Sequence, residues 1–420
     1  MHSKQQFQNF LSRTISASAT AALAIAIVFV LMVVATQSAQ AQTYQVIYNF
    51  TGGGDGGGPS GGLSTDVGSL YGTTRYGGIE DRGTAFRLTN SDSGWVLTTL
   101  HSFLGSRHRD GTLPVARVIF GPDGGLYGTT EFGGAGRNTC GCGTVFEVKP
   151  ASWLVWTETV IHHFSGGSDG YEPLSEVVFD PAGNLYGTTV DGGEHAWGNV
   201  YELTPSNNGG WTESELYSFT GGSDGGDPWW GGVIVDGAGN LYGTTVYGGA
   251  YNFGAVFQLT PSGRGWTESV LYSFQNGGDG LRPYGGLILD QLGNLYGTTT
   301  YGGSGGGGTV FKLTPANGNW TFTLIYSLEG GAYGSQSKLA MDAVGNLYGT
   351  TNVDGLYGHG RVFKLTHGGG GWTYISLHDF TGGSDGGTPN GPSLDASGNL
   401  YGTASLGGAY GAGVIWEIRR

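Results

Sequence analysis

The sequence predicts an all-β protein, a seven-bladed β-propeller whose blades are four-stranded antiparallel sheets. Three observations carry this expectation. Seven copies of Gly-Asn-Leu-Tyr-Gly-Thr-Thr, or close variants, place tyrosines at Tyr71, Tyr127, Tyr186, Tyr242, Tyr296, Tyr348 and Tyr401. Their spacings of 56, 59, 56, 54, 52 and 53 residues mark equal modules, and are too long for the helix pair of a solenoid coil. Each module reads as four short strands, and the two chain ends hold complementary parts of one module.

The copy beginning at Gly286 shows the unit most plainly. Leu287 to Asp290 is followed by a turn through Gly293-Asn294, then Leu295 to Thr299, a Gly-rich loop, Gly308 to Thr314, a turn at Ala316 to Asn319, and Trp320 to Leu328. The runs are short, alternating or β-branched, and bounded by Gly, Asn, Asp or Pro, which is the strand signature. None has a helical period, so one module is a four-stranded meander. A repeat of this length lies just above the roughly 40 to 50 residues of familiar propeller blades. The 86 glycines sit at fixed offsets among Tyr, Trp, Phe, Val and Leu, the pattern of turns between strands rather than of disorder.

Ring closure follows from the ends. Gln42 to Phe50 matches a fourth strand such as Trp266 to Phe274, whereas Gly413 to Ile418 matches a third. One N-terminal strand is therefore expected to join three C-terminal strands in the last blade, which removes exposed sheet edges.

Taken together, Gly-Asn-Leu-Tyr-Gly-Thr-Thr, Tyr-Gly-Gly and Gly-Thr-Val-Phe-Lys-Leu-Thr-Pro resemble the Gloeo_Verruco (GloVer) tandem repeat over Gln42 to Arg420. The resemblance implies an exported bacterial protein, often tied to the envelope by a C-terminal anchor. Here the chain ends on a strand and Arg419-Arg420 with no apolar tail, so release is the expectation. More loosely, Leu-Asp-x-x-Gly-Asn-Leu-Tyr is similar to NHL and lactonase-type propellers.

Residues 1–41 read as a secretory signal peptide. Lys4 and Arg13 precede an apolar run from about Thr20 to Ala35, and Ala39-Gln40-Ala41 offers a small-residue cleavage site. The run is shorter than the ~20 residues of a spanning helix. Residues 42–420 are expected to form a single propeller domain, monomeric, with no membrane span after cleavage, and secreted or at the periplasmic or envelope exterior. Without the leader, 16 Lys and Arg face 32 Asp and Glu, a net charge of −16. That balance excludes a nucleic-acid partner, because phosphate binding needs a basic face.

Cys140 and Cys142 are the only cysteines, so no disulfide framework supports the fold. With Gly141 between them and an oxidising compartment, they are expected to form a loop staple. No Cys or His lies at finger-like spacing, and two thiolates alone make a weak metal site.

Asp-Gly-x-x-Pro recurs with Asp55, Asp110, Asp169, Asp224, Asp279 and Asp385, while the sixth module has Tyr333 and Ser337 instead. A ring of carboxylates offers the hard oxygen ligands that Ca²⁺ takes. Recurrence in nearly every blade fits a tight turn better, with Asp accepting from backbone amides, so no metal ligand is assigned. The aspartates Asp66, Asp180, Asp236, Asp290, Asp342 and Asp395 read as caps of the first hairpin. Trp95, Trp156, Trp211, Trp266, Trp320 and Trp372 open fourth strands and read as packing between blades. A Tyr or His recurs later in that strand, at Tyr48, His101, His162, Tyr217, Tyr272, Tyr326 and His378. It reads as a half-buried ring with a polar tip.

Function is expected where a module departs from the repeat. The loops between second and third strands, and those entering the first strand, are expected on one face. They carry Glu194, His195, Trp197, Trp229, Trp230, Tyr251, Arg282 and Tyr284. Aromatic and polar side chains together stack on and hydrogen-bond a sugar or a peptide, and packing over the channel mouth is the competing role for the two tryptophans. The leading expectation is a binding module for extracellular polysaccharide or protein. The alternative is a carbohydrate-active lyase or hydrolase at the channel mouth, with Asp191, Glu194 and His195 as first catalytic candidates. No nucleophile elbow, phosphate loop or metalloprotease motif is present.

Overall fold

The computed structural model describes residues 42–135, 140–152, 155–263, 265–330 and 334–419. The expected signal peptide at 1–41, Tyr333, part of the cysteine loop and Arg420 lie outside them. Blade 4 shows the unit: Val233–Val235, Leu241–Thr245, Ala255–Ser262 and Gly265–Ser273 pair antiparallel in that order. Five other blades repeat the order, with first strands beginning at Ser64, Ile119, Val178, Ile288 and Ala340. In blade 7, Thr43–Asn49 pairs with Val414–Arg419, which pairs with Leu400–Leu406. Leu400–Leu406 pairs in turn with Ser393–Leu394 and with Gly387–Pro389, so the ring is closed by the N-terminal strand on the C-terminal ones.

The signature phrase folds as it does because each polar member has a partner in the hairpin. Asp236 Oδ1 accepts from the amides of Ala238 and Asn240 at 2.8 and 2.9 Å. Its Oδ2 accepts from the Asn240 side-chain amide at 2.8 Å and from the Tyr242 hydroxyl at 3.0 Å. Asp180, Asp290 and Asp395 do the same, whereas Asp66 caps only Val67 N. The glycine after the tyrosine is required by close approach. A Cβ on Gly243 would fall 2.5 Å from the ring of Phe257, which lies across it.

Blades are joined by rings and hydroxyls. Phe219 at the end of blade 3 meets Phe257 of blade 4 edge-on at 5.0 Å, and Trp266 meets Tyr186 of blade 3 at 6.2 Å. Trp95, Trp156, Trp211 and Trp320 repeat that contact with Tyr401, Tyr71, Tyr127 and Tyr242. Threonines of the phrase stitch neighbours together: Thr129 Oγ1 donates to Ser175 O at 2.9 Å, and Thr403 Oγ1 to Gly61 O at 3.0 Å. The pairing of third with fourth strands carries a bulge. Val256 faces Tyr272 and Phe257 faces Val270, leaving Leu271 as the extra residue.

Candidate functional site

In five blades the loop that enters the blade passes through a left-handed non-glycine residue before its proline. Leu113, Glu172, Asp227, Arg282 and Thr388 have φ between 52° and 57°, and each amide is held by a carbonyl of the preceding blade. This strained turn aims the residues after the proline toward the propeller axis. Around the axis they line a cavity of about 490 Å³.

One wall of the cavity is Trp229 and Trp230, which also pack against Val115, Leu174 and Val190. Charged groups surround the rest: Arg75, Arg117 and Lys338 with Glu131, Glu172 and Glu176, beside Gln336, Asn352 and Asn390. Glu176 forms ion pairs with Lys338 and, at 3.7 Å, with Arg117. Burial pushes its carboxyl up, but the Lys338 ammonium and the Arg117 guanidinium outweigh burial and hold it below its ordinary value. A second cavity, lined by residues in or just before the first strands, including Leu63, Ile288, Leu339 and Leu394, shares Arg117 and Lys338 with the first. Arg117 and Lys338 therefore face both cavities.

Around the cup, blades 2 to 4 carry carboxyls raised above their usual range. Burial, with a further contribution from Glu172, raises Glu131 against the pull of Arg75 at 2.8 Å. Burial and the charge of Asp191 raise Glu172, and burial alone raises Asp191. Asp227 is pushed up to about 6 by burial and then by Asp191.

The structure divides the residues expected from sequence. Trp229, Trp230 and Tyr284 come together, with ring centroids 5.4 to 5.8 Å apart. Arg282 lies over the rings of Tyr247 and Tyr301 at 5.0 and 5.8 Å. Glu194, His195 and Tyr251 do not join them, a correction to the expectation of one convergent face. The loop between second and third strands swings outward, so His195 N donates to Ser218 Oγ on the outermost strand at 3.2 Å. Tyr251, 54% exposed, occupies the matching loop of blade 4. Trp197 is a seam residue: a Cβ on Gly221 would fall 2.4 Å from its indole. His359 covers Gly382, and Ala412 covers Gly52, in the same way.

Sequence reasoning missed Arg75, Glu131, Arg117, Glu176 and Lys338. The signal was there. Arg75 and Glu131 directly follow a Thr-Thr, and Arg117, Glu176 and Lys338 stand just before the first strand, where Gly62 and Gly286 stand in other modules. Cys140 and Cys142 are disulfide-bonded, with Cα atoms 5.2 Å apart, and their sulfurs lie against Gly166. Among the aspartates of the Asp-Gly-x-x-Pro loops, Asp55, Asp169, Asp224 and Asp385 each accept from the amide four residues earlier.

Fold and cavity together define a class: a seven-bladed propeller with a polar cup on its axis, facing the loops that enter the blades. Within that class, the chain belongs to the Gloeobacter/Verrucomicrobia repeat family, whose repeat matches residues 33–156 and 137–335. No curated protein matches it. Among solved structures, it is similar to the extracellular domain of a hybrid two-component system of B. thetaiotaomicron. The identity is 11% and the TM-score 0.53, over 90% of this chain and 41% of that one. It is also similar to PorZ, a surface component of the type-IX secretion system of Porphyromonas gingivalis, at 14% identity and TM-score 0.50, over 85% and 46% of the two chains. A gluconolactonase of Xanthomonas campestris aligns over 91% and 93% of the two chains at 12% identity and TM-score 0.44. These likenesses concern the propeller fold. Among the described residues, no helix is long and apolar enough to cross a membrane.

Proposed function

We propose that this protein is an exported binding module whose axial cup takes an extracellular carbohydrate. The cup carries the proposal: about 490 Å³, with Trp229 and Trp230 on one side and amides, carboxylates and cations around the rest. Its size falls within the ~300–1,000 Å³ of small-ligand sites. A sugar presents an apolar face to an indole and hydroxyls to Asn390, Gln336 and Glu172. Export rests on the residue pattern at 1–41.

A lyase or hydrolase is the second reading, favoured by Glu131 and Glu172. Both line the cup and both are held above the usual carboxylate range, as a general acid needs to be. Substituting Trp230→Ala and Asn390→Ala and probing a glycan array distinguishes the cases. The binding module predicts loss of the wild-type glycans in the folded double variant, with no product released from any of them. An unchanged glycan profile removes the proposal, and released product transfers the site to the enzyme reading.

A further inference from the structure

Away from the cup, the seam between blades 1 and 2 gathers three metal-ligating side chains. Ligand atoms of His101, Asp110 and Glu158 all lie within 4.8 Å of one another. His101, on Gly94–Ser102, places Nε2 3.0 Å from Asp110 Oδ2. Asp110 is fixed by the amides of Leu104 and Gly111 at 2.7 and 2.6 Å, and its side chain is 7% exposed. Glu158 arrives from the outermost strand of blade 2, Trp156–His163.

Three other seams fill the position of Glu158 with a ring: Tyr44 stacks on His378 at 3.6 Å, Phe322 on Tyr272 at 4.5 Å, and Tyr374 on Tyr326 at 4.7 Å, whereas blade 1 has Leu97 there and blades 3 and 4 have Glu213 and Glu268. Glu158 instead brings a second carboxylate against Asp110, and its Oε1 is shielded from solvent without a hydrogen-bond partner among the described residues. A buried carboxylate oxygen with no donor is costly. The next seam echoes the arrangement with His162, Asp169 and Glu213: His162 Nε2 stands 3.7 Å from Asp169 Oδ2, and neither it nor Glu213 Oε1, both buried, has a hydrogen-bond partner among the described residues. The seam after that offers Tyr217, Asp224 and Glu268, with no imidazole.

We infer that the seam between blades 1 and 2 binds a divalent first-row transition ion of the Zn²⁺ class through His101 Nε2, Asp110 and Glu158. One imidazole and two carboxylates suit such an ion and balance its charge. Donors about 2.1 Å from the ion stand at most about 4.2 Å apart, so a small side-chain adjustment closes the set. The ion takes the place of the hydrogen now bridging His101 and Asp110, and gives the Glu158 oxygen its missing partner. Bridging two blades, it would brace the ring at its rim. The alternation of Tyr and His in this strand hides such a site from sequence, because the third ligand belongs to another module.

The test uses the chain purified without its leader and stripped with a chelator, titrated with Zn²⁺ in a calorimeter and weighed by native mass spectrometry. The wild type is expected to take up Zn²⁺, with a rise in melting temperature. Glu158→Gln, which keeps the shape, should remove one equivalent, and Glu268→Gln none. His101→Tyr installs the residue that Tyr48, Tyr217, Tyr272 and Tyr326 show the strand accepts, and should remove the same equivalent. A stripped wild type that binds no Zn²⁺, or a folded His101→Tyr or Glu158→Gln chain that keeps the full stoichiometry, overturns the site.

Discussion

The hydroxyl of Tyr272 donates to Asp279 Oδ2 at 2.9 Å, and the same oxygen accepts the amide of Gln275 at 2.9 Å. Tyr48 with Asp55 and Tyr217 with Asp224 repeat the bond at 3.0 Å, and His378 meets Asp385 at 3.1 Å. Two recurrences that look unrelated along the chain are one clamp. Where it occurs, it ties the end of an outer strand to the loop that enters the next blade, and so fixes where that loop delivers its axial residues.

Removing the carboxylate should therefore cost more than removing the hydroxyl. Tyr272→Phe is expected to lose about 1 kcal/mol and Asp279→Ala about 1.5–2 kcal/mol, since the latter also gives up the bonds from the exposed amides of Gln275 and Gly277. In a double-mutant cycle followed by chemical denaturation, the pair should couple by about 1 kcal/mol. Additive losses would mean that the bond does not join strand to loop.

Glu268 sets a pH dependence of opposite sign to the usual carboxylate. Burial and then the charge of Asp224 push its carboxyl up from 4.5 to about 7. The folded state thus holds this proton more tightly than the unfolded state. The stability it contributes is fully present below about pH 4.5 and is lost as pH rises through about 7. Glu268→Gln should melt close to the wild type at the acidic end and above it at pH 8. Equal melting temperatures at both ends would remove Glu268 from the pH profile.

Tyr201 stands where the other blades place Phe86, Phe146, Phe257, Phe311, Phe363 or Trp416. Its ring is fully buried, and the hydroxyl has no hydrogen-bond partner among the described residues. Tyr201→Phe should stabilise the protein by about 1 kcal/mol, because it deletes an unsatisfied polar atom and keeps the ring. A lower denaturation midpoint in the variant would show that the hydroxyl has a partner, such as a buried water.

The fold was legible because the repeat writes each blade locally. Asp236, Asn240 and Tyr242 close a hairpin within seven consecutive residues, and seven such phrases count the blades. The bulge at Leu271 was not legible, since the apolar run continues through it and only cross-strand register reveals the extra residue. Of the aromatic residues singled out, Trp229, Trp230 and Tyr284 gather, while Trp197 was misplaced because its repeat position is a seam rather than the face of the cup.

By itself, then, the sequence determined blade number, strand order and the strand that closes the ring, because turns and alternation are properties of neighbouring residues. Only the tertiary structure decided which departures from the repeat share a site. Lys338 reaches Glu176 across 162 residues of chain, and Glu158 meets His101 from a different blade. A ring brings distant modules to one axis and adjacent modules to one seam. The chemistry of both places depends on that curvature, which no single module encodes.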